Sequence, residues 1–263
     1  MSTVDRMLLH VVKIQTLGAG QCLTTATGFF YQQDGYLYLI TARHVVDDPA
    51  QGHCPDQLGV SLHVDAENLS QTQLLSIPLY VAGVRQWYQH PSSDADLAAV
   101  TINDPHILSN FAVFPFRRAD IVSRDTQVPL GQDALILGFP LGFQDTVHNL
   151  PIVRRALIAS SFSHPFKNQP YFLTDARLHR GMSGSPVIAR IAGDSRSSET
   201  PGSDWRLLGV HTSALDVSNR DPVQDDRLAL NTSWYATLIS EMLPRRSPAN
   251  VSKSSRRGSN QSQ

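Results

Sequence analysis

The most informative stretch of this sequence reads Thr174-Asp175-Ala176-Arg177-Leu178-His179-Arg180-Gly181-Met182-Ser183-Gly184-Ser185-Pro186. Gly181 and Gly184 have no Cβ, so they can adopt the positive φ values of a tight turn around Ser183. The amides of Gly181 and Ser183 in such a turn are suited to hold a developing oxyanion. The same pattern also occurs in ordinary surface turns. A nucleophilic serine therefore requires a base and an acid elsewhere in the chain.

Length and composition indicate an ordinary globular protein. The 263 residues are 41% hydrophobic and 17% charged, which excludes disorder over the whole chain. The net charge of −1 gives no electrostatic reason to expect nucleic acid or an anionic membrane as a partner. No apolar run approaches the roughly 20 residues that a membrane-spanning helix needs.

The N-terminal residues do not read as a secretory signal, because His10 and Lys13 interrupt the apolar run. Cys22 and Cys54 are too few for a disulfide framework, although a single bridge between them stays open. Both observations predict a cytoplasmic location.

Short β-rich segments follow one another along most of the chain, separated by Gly, Pro, Asn or Asp. Asp34-Gly35 between two aromatic segments predicts a β-hairpin. The predicted strands are Leu8–Thr16, Thr24–Tyr31, Tyr36–Thr41, Gly59–Val64, Gln73–Val81, Leu97–Ile102, Asp133–Gly138, Val153–Ser160, Tyr171–Asp175, Ser185–Ile191, Trp205–Thr212 and Leu228–Leu230.

Two sets of about six strands predict an all-β fold of two packed antiparallel six-stranded β-barrels with a C-terminal helix. The helix is predicted from the apolar spacing of Trp234, Leu238, Ile239 and Met242. The predicted units are a first barrel at 1–115, a crossover linker at 116–131, a second barrel at 132–230, the helix at 231–244 and a disordered tail at 245–263.

Two titratable residues stand where apolar strands end or begin. His44 follows Tyr38-Leu39-Ile40-Thr41-Ala42-Arg43, and Asp96 precedes Leu97-Ala98-Ala99-Val100. A serine hydroxyl needs an imidazole to take its proton, and the imidazole needs a carboxylate to fix its tautomer. The order His44, Asp96, Ser183 is one of the known orders of a catalytic triad. Asp94 is the rival acid, but Asp96 directly adjoins the apolar strand.

With these motifs the chain resembles trypsin-like peptidases of the S1 type, and among them bacterial members such as the HtrA and glutamyl-endopeptidase groups. The resemblance rests on Thr41–Val46, Asp96–Val100, Gly181–Pro186, Gly28-Phe29-Phe30 and Leu208–Ser213. It implies a double β-barrel with the active site in the cleft between the barrels.

The resemblance implies that His44 is the general base, that Asp96 orients it and that Ser183 is the nucleophile. The amides of Gly181 and Ser183 would form the oxyanion hole. Arg177, His211 and Ser213 would lie at the primary specificity pocket, where a cationic side chain would favour an acidic P1 residue. Alternatively, Arg177 pairs with a nearby aspartate, and His211 is a packed strand residue.

Met182 stands where animal digestive members have the aspartate that pairs with a new N-terminal amine. We therefore expect an enzyme that is active as made, or one that loop ordering or an unidentified activating partner switches on. No cofactor is expected, and the expected partner is a protein or peptide substrate.

Two other functions remain open from the residues. One is a peptide-binding pseudoprotease that keeps the cleft without turnover. The other is a metal hydrolase using His44, His53, Cys54 and His63, although their spacing matches no standard zinc signature.

Overall fold

The computed structural model describes residues 6–191, 205–215 and 228–245, and β-strands are its main regular elements. The strands are β1 Val11–Gly18, β2 Gln21–Gln33, β3 Tyr36–Thr41, β4 Gln57–His63, β5 Thr72–Pro78, β6 Tyr80–Val81, β7 Val84–Arg85, β8 Trp87–Gln89, β9 Ala98–Ile102, β10 Phe116–Arg117, β11 Asp133–Gly138, β12 Ile152–Ile158, β13 Tyr171–Asp175, β14 Ser185–Arg190, β15 Trp205–Ala214 and β16 Leu230–Tyr235.

The helices are short. The α-helices are α1 Arg43–Val46, α2 Ile107–Asn110 and α3 Thr237–Met242. Single 3-10 turns occupy Arg6–His10, Pro49–Gln51, Arg118–Asp120, Pro140–Gly142 and Phe166–Asn168. Within the part of the chain that the structure describes, no helix has the length and apolar character to span a membrane.

The first half forms an eight-stranded sheet in the order β5-β4-β1-β2-β3-β9-β8, with β10 added in parallel beside β2. Within the described residues β5 and β8 stand at its two ends. The closed six-stranded barrel predicted for this half is therefore not confirmed. The additional strands β8 and β10 have three and two residues, which is too short to show an alternating pattern in the sequence.

The second half closes into a six-stranded barrel, in the order β11-β12-β13-β16-β15-β14. This confirms the barrel predicted for this half. β16 completes it by pairing antiparallel with both β13 and β15.

The second part of β2 and nearly all of β3 are buried on both faces, and alternate residues of these strands belong to two different cores. Phe30 and Leu39 point into a core made by the first half alone. Phe29, Tyr31 and Ile40 lie in a second core that also contains residues of the barrel such as Leu207, Tyr235 and Leu238. Since successive side chains of a strand point to opposite faces, β2 and β3 separate the two cores.

The strand bounds follow the prediction closely where a local turn sets them. The hairpin at Asp34-Gly35 is confirmed, with φ values of +52° and +81° and the pairing of Gln33 with Tyr36. Both residues are left-handed, as a two-residue turn between twisted strands requires.

The predicted helix over 231–244 is wrong in its first part. Leu230–Tyr235 is strand β16, and helix α3 covers only Thr237–Met242. Asn231 to Tyr235 are buried because they close the barrel, so their apolar spacing reflects burial on both faces rather than a helix. Apart from Arg245, the predicted disordered tail at 245–263 lies outside the described residues.

Candidate active site

His44 and Asp96 form a closely bonded pair at one end of the first sheet. His44 lies in α1, directly after β3, and Asp96 lies just before β9, which pairs with β3. The His44 Nδ1–H donates to Asp96 Oδ2 at 2.8 Å, and the His44 backbone amide donates to Asp96 Oδ1 at 3.0 Å. Each carboxylate oxygen therefore holds a different part of the same histidine.

The pair shifts the pKa of each partner. Burial is the largest single influence on His44 and lowers its pKa, but the hydrogen bond and the charge of Asp96 outweigh it. The pKa of His44 is therefore raised above its usual value of 6.5. Burial is the largest single influence on Asp96 and raises its pKa. The hydrogen bonds to His44 and the charge of that ring together outweigh burial, so the pKa of Asp96 is lowered below 3.8. The carboxylate is charged at neutral pH.

The rival acid, Asp94, is exposed in the preceding loop, two residues from Asp96. Asp96 is the carboxylate that contacts His44.

Ser183 lies in a turn between β13 and β14 that depends on two left-handed glycines. Gly181 has φ +92° and Gly184 has φ +89°. A Cβ at position 184 would overlap the carbonyl oxygen of Thr27 and would lie 2.9 Å from the Cα of Thr41. The turn therefore packs directly against β2 and β3 of the first sheet, and only glycine fits there.

Hydrogen bonds hold the carbonyl groups of this turn. The amide of Leu141 donates to Arg180 O at 2.6 Å, and the amide of Ser185 donates to Met182 O at 3.0 Å. Among the described residues, neither the amide of Gly181 nor that of Ser183 has a hydrogen-bond partner. The hydroxyl of Ser183 donates to Thr212 O at 2.9 Å.

His211 connects the serine turn with the histidine–aspartate pair. It is buried in β15, pairs with Ser185, and its carbonyl accepts a hydrogen bond from the amide of Gly184 at 2.8 Å. Burial and, to a smaller extent, repulsion from His44 lower the pKa of His211 to about 3, although the charge of Asp96 acts in the opposite direction. Its Nδ1 is buried with no partner among the described residues. The imidazole is neutral at pH 7.

The two other residues predicted at the pocket are exposed. Ser213 pairs with Thr232 beside a shift in strand register. The side chain of Arg177 is exposed, while its carbonyl accepts a hydrogen bond from Arg154 Nη2 at 2.5 Å. Arg177 therefore supplies no buried cation, whereas the imidazole of His211 is a buried titratable group beside the serine turn.

Two further residues of this region carry no signal in the sequence. Thr212 accepts the hydrogen bond of the Ser183 hydroxyl through its backbone carbonyl, and a residue of any type provides such a carbonyl. Thr27 contacts the serine turn across 154 positions of sequence, through its hydroxyl and the carbonyl of Gly181. Nothing in the local pattern Ala26-Thr27-Gly28 indicates that contact.

The residues of the alternative metal site are engaged separately. His53 Nε2 donates to Val45 O at 3.1 Å, and His63 Nε2 donates to His148 O at 2.6 Å. Cys22 and Cys54 are both free and exposed. Among the described residues, no group of three His, Cys, Asp or Glu side chains is arranged to hold a metal ion.

Residues 26–194 match the family model described as the trypsin-like peptidase domain. This match spans more than half of the chain, and the protein belongs to that family. The fold is accordingly that of the trypsin-like serine peptidases.

Solved structures of proteases are similar in fold. One is the serine endoprotease from Yersinia pestis, at 16% identity and a TM-score of 0.53, over 91% of this chain and 63% of that one. Another is the HtrA-type protease AlgW with a tripeptide, at 18% identity and a TM-score of 0.52, over 91% of this chain and 60% of that one. The chain thus spans about three-fifths of the length of these two neighbours. The comparison with curated proteins gave no match.

Proposed function

We propose that this protein is a serine endopeptidase that hydrolyses peptide bonds of protein or peptide substrates through an acyl-enzyme. The observation that carries the proposal is the double hydrogen bond of Asp96 to His44, which fixes the ring with its proton on Nδ1. A ring held this way keeps Nε2 unprotonated and able to accept the proton of a hydroxyl.

In the proposed reaction, Ser183 Oγ attacks the scissile carbonyl carbon while its proton moves to His44 Nε2. The C–N bond then breaks, and His44 returns the proton to the leaving amine. Water repeats the sequence on the acyl-enzyme and regenerates the serine. Because the Ser183 hydroxyl donates to Thr212 O in the resting structure, it must first rotate toward His44. Such tightening of catalytic hydrogen bonds on substrate binding is common.

The amides of Gly181 and Ser183 are the proposed oxyanion hole. The carbonyl groups of their peptide planes, those of Arg180 and Met182, accept hydrogen bonds from Leu141 and Ser185. In a planar trans peptide the N–H points away from the carbonyl. Both amides are therefore directed away from these contacts, and neither has a partner within the described chain. Fixed, unpaired donors of this kind stabilise an oxyanion effectively.

A preference for an acidic or amide P1 side chain is the finer part of the proposal. Its support is His211, whose buried Nδ1 lacks a partner among the described residues and whose neutral ring can donate a hydrogen bond. Arg177 contributes no buried charge, because its side chain is exposed. A peptide series differing only at P1 tests this preference. Glu or Gln should be cleaved fastest, and faster cleavage after Lys or Leu would exclude it.

The central test is reaction of the full chain with a fluorophosphonate, together with turnover of a peptide substrate. The reagent should modify Ser183, and Ser183→Ala should lose labelling and at least ~10³-fold in kcat. Ser163→Ala, which changes an exposed serine, is the control and should behave like the wild type. A folded protein that the reagent leaves unmodified would instead support the peptide-binding pseudoprotease.

A further inference from the structure

Thr27 links the first sheet to the serine turn through both its backbone and its side chain. It is fully buried in β2. Its amide donates to Ser183 O at 3.0 Å, and its hydroxyl donates to Gly181 O at 2.7 Å. The same hydroxyl accepts a hydrogen bond from the amide of Phe139 at 3.1 Å. One threonine thus contacts the turn at both the nucleophilic serine and the glycine two residues earlier.

These contacts control the backbone on both sides of Gly181. The peptide that follows Gly181 is held by the hydroxyl of Thr27. The peptide that precedes Gly181 is held by the amide of Leu141, which donates to the carbonyl of Arg180. Leu141 lies two residues after Phe139, and the amide of Phe139 donates to the hydroxyl of Thr27. The hydroxyl therefore connects both supports of Gly181, which has a φ of +92° and, as a glycine, the conformational freedom that these contacts restrict.

Glycines leave the space that this arrangement needs. A Cβ at position 138 would lie 2.7 Å from Thr27 Oγ1, and one at position 184 would overlap Thr27 O. That carbonyl also accepts a hydrogen bond from the hydroxyl of Thr41 at 2.8 Å, and Thr41 ends the strand that leads to His44. Thr27 therefore lies on a continuous chain of hydrogen bonds between the strand that carries the base and the turn that carries the nucleophile.

We infer that Thr27 is a positioning residue, whose hydroxyl orients the Gly181 and Ser183 amides relative to the reacting serine. The inference rests on the proposed function and extends it to a side chain that touches neither substrate nor the reacting atoms. Thr27 acts through the backbone that it holds.

Thr27→Val is the main test, because valine keeps the shape and removes the hydroxyl. The Gly181 carbonyl and the Phe139 amide then lose their buried partner, and the turn relaxes. We expect kcat to fall about 10- to 100-fold, in the range that small displacements of catalytic groups produce. KM should change little. The pH midpoint of kcat/KM should stay that of the wild type, since the His44–Asp96 pair is untouched.

Three further variants separate positioning from folding. Thr27→Ser keeps the hydroxyl and should restore kcat to within about threefold of the wild type. Thr27→Ala differs from Thr27→Ser only by the missing hydroxyl oxygen, and its kcat should match that of Thr27→Val. Thr16→Val removes another fully buried threonine hydroxyl, one that bonds only Thr24 among the described residues. It should lose stability without any change in kcat.

The outcomes separate the two proposals. If the wild type is active and the folded Thr27→Val and Thr27→Ala variants have the same kcat as the wild type, the inference is overturned and the proposed function stays intact. The inference also fails if both variants lack a cooperative thermal transition while Thr27→Ser folds, because the hydroxyl then serves folding alone. A wild type that neither turns over nor reacts with the fluorophosphonate overturns the proposed function and the inference together.

Discussion

Asp96 bonds the ring and the backbone of the same histidine, so its charge acts on His44 from a fixed position. This charge raises the pKa of His44 above 6.5 against the opposite influence of burial. A base must be unprotonated to accept a proton. The histidine therefore becomes competent only as the pH rises through its raised pKa.

The expected pH profile follows from the raised pKa of His44. Wild-type kcat/KM should rise with pH through a midpoint above 6.5, the usual value for histidine. Asp96→Asn should lower kcat by about 10⁴-fold. It should also move the His44 titration, followed by NMR, to lower pH, because the stabilising charge is gone. Asp94→Asn, which alters an exposed carboxylate nearby, should change neither quantity. An unshifted titration in Asp96→Asn would contradict the role given to this carboxylate.

His211 gives a prediction about stability rather than activity. Its pKa is about 3 in the folded protein, against 6.5 in the unfolded chain. Between these values the unfolded state binds the extra proton, so the free energy of unfolding decreases as the pH falls below 6.5. From pH 7 to pH 5 this residue alone should remove about 2 kcal/mol. Urea titrations of wild type and His211→Gln at both pH values measure it, and the variant should lack that part of the loss.

The candidate catalytic residues that the sequence predicts are those whose surroundings are local. His44, Asp96 and Ser183 each stand beside a strand end or a glycine turn, which marks them in a short window. The position of Arg177 was inferred from its distance along the chain from Ser183, and the structure gives it an exposed side chain. Thr27 was missed because its hydroxyl meets Gly181 only through the tertiary fold.

Among the elements, the turn before β14 is the most constrained, because it needs left-handed backbone and has no free space. Gly184→Ala should cost about 3–5 kcal/mol, since it adds an overlap with backbone atoms to the strain of a positive φ. Gly20→Ala has a comparable φ of +78° but no atom within 4 Å of the new Cβ, and should cost about 1–2 kcal/mol. Urea unfolding compares the two, and equal costs would show that the overlap is relieved by movement.

Element bounds were predictable where a turn residue marks them and not where burial is symmetrical. Asp34-Gly35 sets the ends of β2 and β3 by requiring left-handed residues. The sequence predicts a helix over most of β16 because both faces of this strand are buried in the closed barrel and no alternation remains. The apolar pattern then continued into α3, and the boundary at Ala236 had no sequence marker.

For the whole molecule, the decisive feature is the core that β2 and β3 share with the second half. Burial of this shared surface should make the two halves unfold in one transition. The chain has three tryptophans, of which Trp87 lies in the core of the first half and Trp234 in the shared core. Variants that lack Trp205 and keep only one of these two should each unfold in urea with a fluorescence transition that coincides with the transition followed by far-UV circular dichroism. Separate midpoints for the two reporters would show that the halves unfold independently.

The shared core also bears on how the protein is made. Phe29, Tyr31 and Ile40 leave the ribosome long before Leu207 and Leu238, which belong to the same core. At about 5–20 residues per second, the intervening chain takes roughly 10–40 s to synthesise. During that interval this core is incomplete, and we expect the nascent first half to expose apolar surface that chaperones can bind.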